Sequence, residues 1–193
     1  MNPGIAKAVV LVGTAVMIGI RAPYGQRSRR VKVSRSYKTR LETGLLALAW
    51  IGFFVPLVWV VSSVFSFAEF PLLAGPLAAG VMCLGIGLWL FYRSHADLGP
   101  NWSVTLEVKE DHRLITRGVY QRIRHPMYLA LALYAIGQAL VIPNWVAGPA
   151  NLIAFAILFA LRFRAEEKMM VEGFGAEYAA YSARTKRLIP GIW

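Results

Sequence analysis

The stretch Leu45–Phe67, LLALAWIGFFVPLVWVVSSVFSF, decides the fold, because it carries no charged residue. An α-helix of about 20 apolar residues crosses the hydrocarbon core of a bilayer, so this run predicts a membrane-spanning helix. Pro56 lies inside the run, and a membrane helix tolerates such a proline, usually with a kink. Hydrophobic residues make up 57% of the 193-residue chain and charged residues only 16%. This composition excludes an ordinary soluble domain of the same size.

Four further apolar runs indicate additional spans on both sides of this one. The run that follows it is rich in glycine, which leaves room for close helix approach. The last two runs are separated only by Pro143-Asn144, so they are expected to form a helical hairpin. The four additional spans are predicted at Ile5–Ile20, Leu72–Tyr92 (with Gly75, Gly80, Gly85 and Gly87), Met127–Ile142 and Trp145–Leu161.

Basic residues are concentrated in alternate connecting segments. Eight of the 21 Lys and Arg residues lie in Arg21–Arg40, six in Arg93–Arg124 and six in Arg162–Trp193, which leaves only Lys7 elsewhere. Basic loops remain on the cytoplasmic side of a membrane. We therefore expect an all-α integral membrane protein with about five transmembrane helices, its N-terminus outside and its C-terminus cytoplasmic. In a prokaryote this membrane would be the inner, plasma membrane.

The whole chain is predicted to form a single membrane domain over 1–193. Three N-terminal spans occupy 1–92, and 93–193 holds a polar segment, the helical hairpin and a C-terminal amphipathic helix from Arg162 to a Pro190-Gly191 end. The basic segment Val31–Arg40 is typical of a nucleic-acid arm, but its place between two apolar runs favours contact with anionic lipid. No nucleic-acid partner is expected.

Three polar clusters fall on the predicted cytoplasmic side. The clusters His112–Tyr128 and Arg162–Glu167 flank the ends of the hairpin. Arg124-His125 and the Arg162–Glu167 segment are therefore expected to be neighbours. Ionisable groups at the bilayer edge that face inward are candidates for function. Adjacent residues lie about 100° apart on a helix, so at most one of Glu166 and Glu167 points squarely into a given cavity. The clusters are His95–Trp102, His112–Tyr128 and Arg162–Glu167.

Several of these residues also have a structural interpretation. Trp102 suits the membrane interface, and Arg124 could anchor a helix end by extending its charged group toward water. Pro126 suits the first turn of a helix, where its missing N–H costs nothing. His125 could form a structural hydrogen bond. The histidines show no closely spaced ligand pair and there is no thiol cluster, so no metal site is predicted.

Two stretches resemble a known family. They are HRLITRGVYQRIRHPMY at His112–Tyr128 and RFRAEEKMMVEGFGAEYAAYSARTKRLIPG at Arg162–Gly191. They are similar to the isoprenylcysteine carboxyl methyltransferases and to the related membrane phospholipid N-methyltransferases. The likeness covers Asp97–Ile192, whereas the first three spans match only in topology. It implies an S-adenosylmethionine-dependent methyltransferase built from membrane helices, with a cytoplasmic cofactor-binding segment and no Rossmann-type domain.

The resemblance also implies roles for individual residues. Glu166 would bind the ammonium group of the cofactor, and Arg124 or backbone N–H groups would bind its carboxylate. The faces of tyrosine rings would bind its adenine or its sulfonium. Arg162 would meet the substrate and, with Glu167, is assigned to catalysis. Asn101 and Trp102 would join Arg162 in binding the substrate. The cofactor-binding set is His112, Arg113, Leu114, Ile115, Tyr120, Arg124, His125, Pro126, Met127, Tyr128 and Glu166.

The substrate class remains open between two alternatives. A carboxylate acceptor is already a nucleophile at neutral pH, and Arg162 would hold it without a general base. A phospholipid amine needs a base, for which Glu167 or His95 would be candidates. The Arg162-x-x-x-Glu166 spacing is closer to the carboxyl methyltransferases. Either acceptor is lipidic and would enter from the bilayer, while S-adenosylmethionine would enter from the cytoplasm and leave as S-adenosylhomocysteine.

Two hypotheses of other classes are a small transporter or assembly factor and a nicotinamide-dependent membrane reductase. A transporter would explain the spans and the charge bias. It would not explain three polar clusters on one side with a specific motif. Ionisable residues at the middle of the membrane would favour transport, and the five predicted spans have essentially none.

Overall fold

A computed structural model describes residues 1–109 and 113–189 and confirms the predicted helical membrane fold. Five helices carry the architecture: α1 Pro3–Ser28, α2 Arg40–Val61, α3 Ala74–Leu98, α4 Pro126–Val141 and α5 Ala147–Arg184. Strands β1 Val33–Ser36 and β2 Glu107–Lys109 pair as an antiparallel ribbon that the sequence did not predict. Short 3₁₀ turns cover Ser66–Ala68, Gly99–Asn101 and Gly118–Gln121.

The helices have the length and the surface of membrane spans. Helices α1, α2, α3 and α5 are each long and apolar enough to cross a bilayer, and α4 is a shorter apolar helix. Large apolar side chains such as Val12, Ile51 and Trp89 are exposed on their outer faces. Water would penalise such surfaces and lipid would cover them. The chain is therefore an integral, multi-pass membrane protein.

Helix α2 is displaced toward the N-terminus relative to the prediction of Leu45–Phe67. It begins at Arg40 because the Thr39 hydroxyl accepts a hydrogen bond from the Glu42 N–H at 3.1 Å, an N-cap. It ends at Val61, where the Ser62 hydroxyl donates to the Val58 carbonyl at 2.7 Å. The last residues of the run consequently lie outside the α-helix.

The predicted boundary between the fifth span and a separate C-terminal helix was wrong. Helix α5 continues through Arg162, because no proline or glycine interrupts the chain at that point. The break comes at Gly175, whose φ of 50° is readily adopted only by a residue without a side chain. The Pro190-Gly191 end lies outside the described residues.

Helices α1 and α3 extend beyond the predicted spans at their C-terminal ends. The first continues to Ser28 despite Pro23, and the third continues to Leu98. Arg21 and His95 are therefore helical residues inside the bundle, not members of polar loops. For Arg21 this corrects its assignment to a basic connecting segment.

Close packing of α3 against α4 depends on glycine. A Cβ at Gly80 or at Gly137 would lie 2.8 Å from the carbonyl oxygen of the other residue, which is too short for a real contact. Gly87 makes a similar approach to the Ala130 carbonyl. Gly75 and Gly85 have nothing within 4 Å, so only two of the four glycines of α3 serve the predicted close approach.

At one end of the bundle, the N-terminus lies with the α2–α3 and α4–α5 connections, which carry little positive charge. The Met1 ammonium donates to the Leu72 carbonyl at 3.4 Å. Asn144, in the hairpin turn, donates to the Phe65 carbonyl at 2.7 Å and pairs with Glu69 through a β-bridge. The β1–β2 ribbon and the basic segments lie at the opposite ends of the same helices.

Candidate functional site

An internal cavity of about 250 Å³ opens between α1, α2, α4 and α5, toward the end of the bundle that carries the basic segments. Residues of the segment 98–115, which connects α3 to the second half of the chain, complete its wall. One end of the cavity is lined by charged and hydroxyl groups. The other end is lined by aromatic and aliphatic side chains, so the two ends suit ligands of opposite polarity.

The polar end is built around Glu166 on α5. Its Oε2 accepts a hydrogen bond from the Tyr128 hydroxyl at 2.5 Å, and its Oε1 lies 3.7 Å from His125 Nδ1. His125 immediately precedes α4 and Tyr128 lies in its first turn, because Pro126 starts the helix between them. The helix start thereby directs an imidazole and a phenol onto one carboxylate.

Glu167 points away from the cavity and holds the groups around Glu166 in place. Its Oε1 lies 2.7 Å from His125 Nε2 and 3.2 Å from Arg124 Nε, and it accepts from the Tyr178 hydroxyl at 2.6 Å. Burial lowers the pKa of His125, but its hydrogen bonds to Glu166 and Glu167 outweigh burial and raise the pKa above its ordinary value. The predicted separation of the two glutamates is confirmed: only Glu166 faces the cavity.

Arg124 connects the start of α4 to the end of α5. Its guanidinium binds Glu167 and donates from Nη1 to the carbonyls of Ser182, at 3.0 Å, and Thr185. The predicted proximity of Arg124-His125 to the Glu166-Glu167 pair is thus confirmed. Arg124 also lines the cavity, but its donors are largely engaged by protein groups.

Tyr120 closes the polar end from the 3₁₀ turn that follows Gly118. Its side chain is buried, its hydroxyl lies 3.5 Å from the Ser94 carbonyl, and its own carbonyl accepts from the Tyr181 hydroxyl at 2.6 Å. Burial raises the pKa of Tyr120 well above its ordinary value, so the phenol is neutral. The turn depends on Gly118, which has a φ of 61° and leaves no room for a Cβ beside Asp97.

Arg162 is held by a buried glutamate from α2 that the sequence did not indicate as a site residue. Its Nη2 lies 3.3 Å from Glu42 Oε1 and donates to the Val104 carbonyl at 2.7 Å. The same glutamate oxygen accepts from the Leu106 N–H at 2.7 Å. Glu42 occupies the first turn of α2, where an acid is expected merely to complement the helix dipole, so its partner could not be read from the sequence.

The aromatic and amide groups of the 98–115 segment form one wall. Trp102 is buried, its Nε1 donates to the Met127 sulfur at 3.2 Å, and its ring packs against His95. Asn101 accepts a hydrogen bond from the Arg113 N–H at 3.1 Å. Both residues therefore border the cavity, as Leu114 and Ile115 do further along the segment.

The apolar end involves residues that sequence reasoning missed. Trp50 and Phe53 of α2, Tyr134 of α4 and Phe155 of α5 line it. Arg21 of α1 also lines the cavity, with its guanidinium over the rings of Trp50 and Trp102. An apolar residue in a span gives no sequence signal of whether it faces lipid, a neighbouring helix or a cavity, so these positions required the fold.

Most of the predicted site residues meet at this one cavity. Glu167 and Pro126 are not among its described lining residues, and His112 lies outside the described part of the chain. His95, the alternative base, is fully buried with its Nδ1 2.8 Å from the Phe91 carbonyl. The predicted residues that line the cavity are Asn101, Trp102, Arg113, Leu114, Ile115, Tyr120, Arg124, His125, Met127, Tyr128, Arg162 and Glu166.

The fold and the site define a class of protein. It is a helical integral membrane protein whose interior cavity has a charged, hydroxyl-rich end and an aromatic, apolar end. This combination is expected of proteins that bring a polar ligand to a lipidic one.

Comparisons with known proteins point to one family. The model of the isoprenylcysteine carboxyl methyltransferase (ICMT) family matches residues 80–172. The protein-S-isoprenylcysteine O-methyltransferase of Saccharomyces cerevisiae is 35% identical over 62% of this chain and 52% of its own length. The B enzyme of that name from Arabidopsis thaliana is 33% identical over 46% of this chain and 45% of its own.

A solved structure shares the architecture. It is that of the eukaryotic intramembrane Ras methyltransferase ICMT, and it superposes with a TM-score of 0.54 and 25% identity over 81% of this chain and 55% of its own. Over the matched residues, the chain is similar to the isoprenylcysteine carboxyl methyltransferase family. It spans about half the length of the curated relatives that it matches.

Proposed function

We propose that this protein transfers a methyl group from S-adenosyl-L-methionine to the carboxylate of a lipidic acid, such as an isoprenylcysteine. The observation that carries the proposal is the two-ended cavity. Its polar end groups Glu166, Tyr128 and Arg113, and its apolar end groups aromatic side chains from three helices. A charged donor and a lipid-like acceptor can thus be bound side by side in one cavity.

The polar end has the chemistry to hold an amino acid group and an aromatic base. The Glu166 carboxylate faces the cavity and suits an ammonium group, while Arg113 at the rim suits a carboxylate. Tyr120 and Tyr128 offer aromatic faces to a purine or to a sulfonium. When bound there, S-adenosylmethionine supplies a methyl group already activated on a positively charged sulfur.

His125, Glu167 and Arg124 act as positioning residues under this proposal. Glu167 fixes the imidazole of His125 at 2.7 Å, and the imidazole in turn lies beside Glu166. Arg124 ties the same carboxylate to the C-terminal end of α5. Fixing these groups in advance lowers the entropic cost of aligning the reactants for in-line displacement.

A carboxylate acceptor suits the charges that line the cavity. Arg162 and Arg21 both face it, and no described carboxylate pairs with Arg21, so a cationic amine would meet a like charge there. A carboxylate is also ionised at neutral pH and needs no general base. Glu167, named as a catalytic candidate, is engaged by three protein groups and lies behind the cavity, so a supporting role suits it better than a base.

The distribution of charge supports a cytoplasmic site. Nearly all Lys and Arg residues lie toward the end of the bundle where the cavity opens, and basic segments remain on the cytoplasmic side. We infer that the N-terminus is outside, that the donor enters from the cytoplasm and that the acceptor enters from the bilayer. The basic segment around β1 would contact anionic lipid of the same leaflet.

The binding test uses calorimetry of the detergent-solubilised protein with S-adenosylhomocysteine. We expect binding by the parent protein, and weakening of about tenfold or more in Glu166→Gln, since a hydrogen bond to a charged group contributes about 1.5–3 kcal/mol. Glu172→Gln, on an exposed part of the same helix, is the matched control and should bind like the parent. Absence of binding by the parent would contradict the methyltransferase proposal.

The acceptor test measures transfer of labelled methyl groups in detergent–lipid micelles. We expect methylation of a prenylcysteine and none of phosphatidylethanolamine. The opposite pattern would favour phospholipid N-methyltransferase activity instead. If neither acceptor is labelled although S-adenosylhomocysteine binds, the donor assignment stands and the acceptor assignment is wrong.

A further inference from the structure

Arg21 is a charged residue of helix α1, and no carboxylate pairs with it in the part of the chain that the structure describes. It projects from α1 into the cavity, and its guanidinium carbon lies 5.4 Å from the ring centres of both Trp50 and Trp102. No described residue forms a hydrogen bond or an ion pair with it, and the charge that acts on it is the like charge of Arg162. An unpaired charge in such a place is costly to stability and is a candidate for function.

The four arginines among the described lining residues of the cavity are in different electrostatic situations. Arg124 binds Glu167, and Arg113 is exposed at the rim, where the carboxylate of the donor is proposed to bind. Arg162 is neutralised by Glu42 and donates to the Val104 carbonyl. Arg21 has only the faces of two indole rings, which position a cation and leave the donor edges of the planar group open. Arg21 therefore carries the positive charge that is still available to a ligand where the apolar end of the cavity begins.

The indole rings of Trp50 and Trp102 beside Arg21 are themselves held in place by neighbouring side chains. Trp102 donates to the Met127 sulfur and packs against His95, and Trp50 stacks on Phe54. Arg21 is thereby fixed where the apolar end of the cavity begins. A ligand that binds there must combine an anionic group with an apolar tail.

We propose that Arg21 is the residue that binds the carboxylate of the acceptor, and that Arg162 is a positioning residue that fixes the cavity wall through Glu42 and Val104. This inference rests on the proposed function and assigns its acceptor specificity to α1. The guanidinium of Arg21 would donate two parallel hydrogen bonds to the two carboxylate oxygens, a match that neither an amide nor an ester offers.

The test compares binding of N-acetyl-S-farnesylcysteine with binding of its carboxamide. Both ligands have the same apolar tail, and only the first is an anion. The parent protein should prefer the acid, and Arg21→Gln should reduce the acid-over-amide ratio by about tenfold. A folding defect would weaken the binding of both ligands alike. The acid-over-amide ratio therefore reports the carboxylate contact alone.

Two control variants separate this role from the alternatives. Arg27→Gln changes an arginine of the same helix that is not among the described lining residues of the cavity, and it should retain the parent ratio. Arg21→Lys, which keeps the charge without the planar fork, should have an intermediate ratio. The melting temperature of Arg21→Gln should equal or exceed that of the parent, because the substitution removes an unpaired charge.

An unchanged acid-over-amide ratio in Arg21→Gln would overturn the inference. A lowered melting temperature together with that unchanged ratio would assign Arg21 to a structural cation–π contact. A parent protein that binds acid and amide equally would overturn both this inference and the carboxylate acceptor. A parent that prefers the acid but does not bind S-adenosylhomocysteine would leave Arg21 supported and overturn only the proposed donor.

Discussion

At the scale of single residues, the neighbouring carboxylates of Glu166 and Glu167 have different surroundings. Protein groups bind the carboxylate of Glu167, and that of Glu166 faces the cavity, where a ligand can reach it. Glu167 binds Arg124, His125 and Tyr178, and this leaves Glu166 to face the cavity. Adjacent glutamates on a helix face different directions, so the separation follows from helix geometry. Which of the two faces inward depends on where α4 packs, and the sequence does not specify that.

The charge state of His125 predicts a pH-dependent contribution to stability. Its pKa is raised in the folded protein, so its stabilising contribution is fully present below its ordinary pKa of about 6.5 and is lost as the pH rises through the folded value. We therefore expect the melting temperature of the parent to exceed that of His125→Gln at pH 6, and this difference to shrink toward pH 9.

Thermal unfolding in one detergent across this pH range checks the prediction. Lys168→Gln, an exposed position near the glutamate pair, serves as a control and should show a difference from the parent that is small at every pH. A difference between the parent and His125→Gln that grows with pH would contradict a raised pKa.

Residue identities in the polar end could be predicted, whereas those in the apolar end could not. His125, Tyr128 and Glu166 carry side chains whose chemistry stands out among apolar neighbours, and their spacing matched a family pattern. Trp50 and Phe53 are chemically ordinary for a membrane helix. Arg21 and Glu42 stood at the ends of apolar runs, where a charge is normally explained by the interface or by the helix dipole.

At the scale of elements, the helices could be predicted because long apolar runs are incompatible with any other structure in lipid. Their ends were harder to place. Ser62 ended α2 early through a local hydrogen bond, and nothing at Arg162 ended α5. The β1–β2 ribbon was missed because its strands are three and four residues long and are mostly polar. They pair only because the helices bring residues distant in sequence together.

The packing of α3 on α4 gives a prediction with an internal control. Gly80→Ala should destabilise the protein by about 1–3 kcal/mol, because its Cβ would overlap Val141 and the Gly137 carbonyl. Gly85→Ala, on the same helix with nothing within 4 Å, should be neutral or slightly stabilising.

Thermal or chemical unfolding of the two variants in one detergent measures this difference. Equal stability of the two variants would show that α3 and α4 separate without cost at Gly80. A loss of stability in Gly85→Ala alone would show that α3 packs on α4 through the face that carries Gly85 and not the face that carries Gly80.

At the scale of the whole molecule, the arrangement of loops predicts an orientation that can be measured. The chain has one cysteine, Cys83, so a Cys83→Ala background allows single labelling sites to be introduced. Ser63 lies in the connection after α2 and Ser36 lies in β1, at opposite ends of that helix. With the N-terminus outside, a membrane-impermeant maleimide should label Ser63→Cys in intact cells and Ser36→Cys only after the membrane is disrupted.

The reverse labelling pattern would place the cavity opening on the outer side and would contradict the proposed entry of the donor from the cytoplasm. Labelling of both positions in intact cells would indicate that the helix between them does not cross the bilayer. Detergent-solubilised samples, in which both positions should react, control for the reactivity of each introduced thiol.

The shared cavity has a consequence for how such proteins could diversify. The part of the chain that matches the family model, residues 80–172, carries Tyr120, Tyr128 and Glu166, whereas Arg21 and Trp50 come from α1 and α2. The polar end therefore comes largely from the matched stretch, whereas the apolar end combines that stretch with α1 and α2. Exchange of α1 and α2 between paralogues would therefore change the residues proposed to contact the acceptor and leave Tyr120, Tyr128 and Glu166 unchanged.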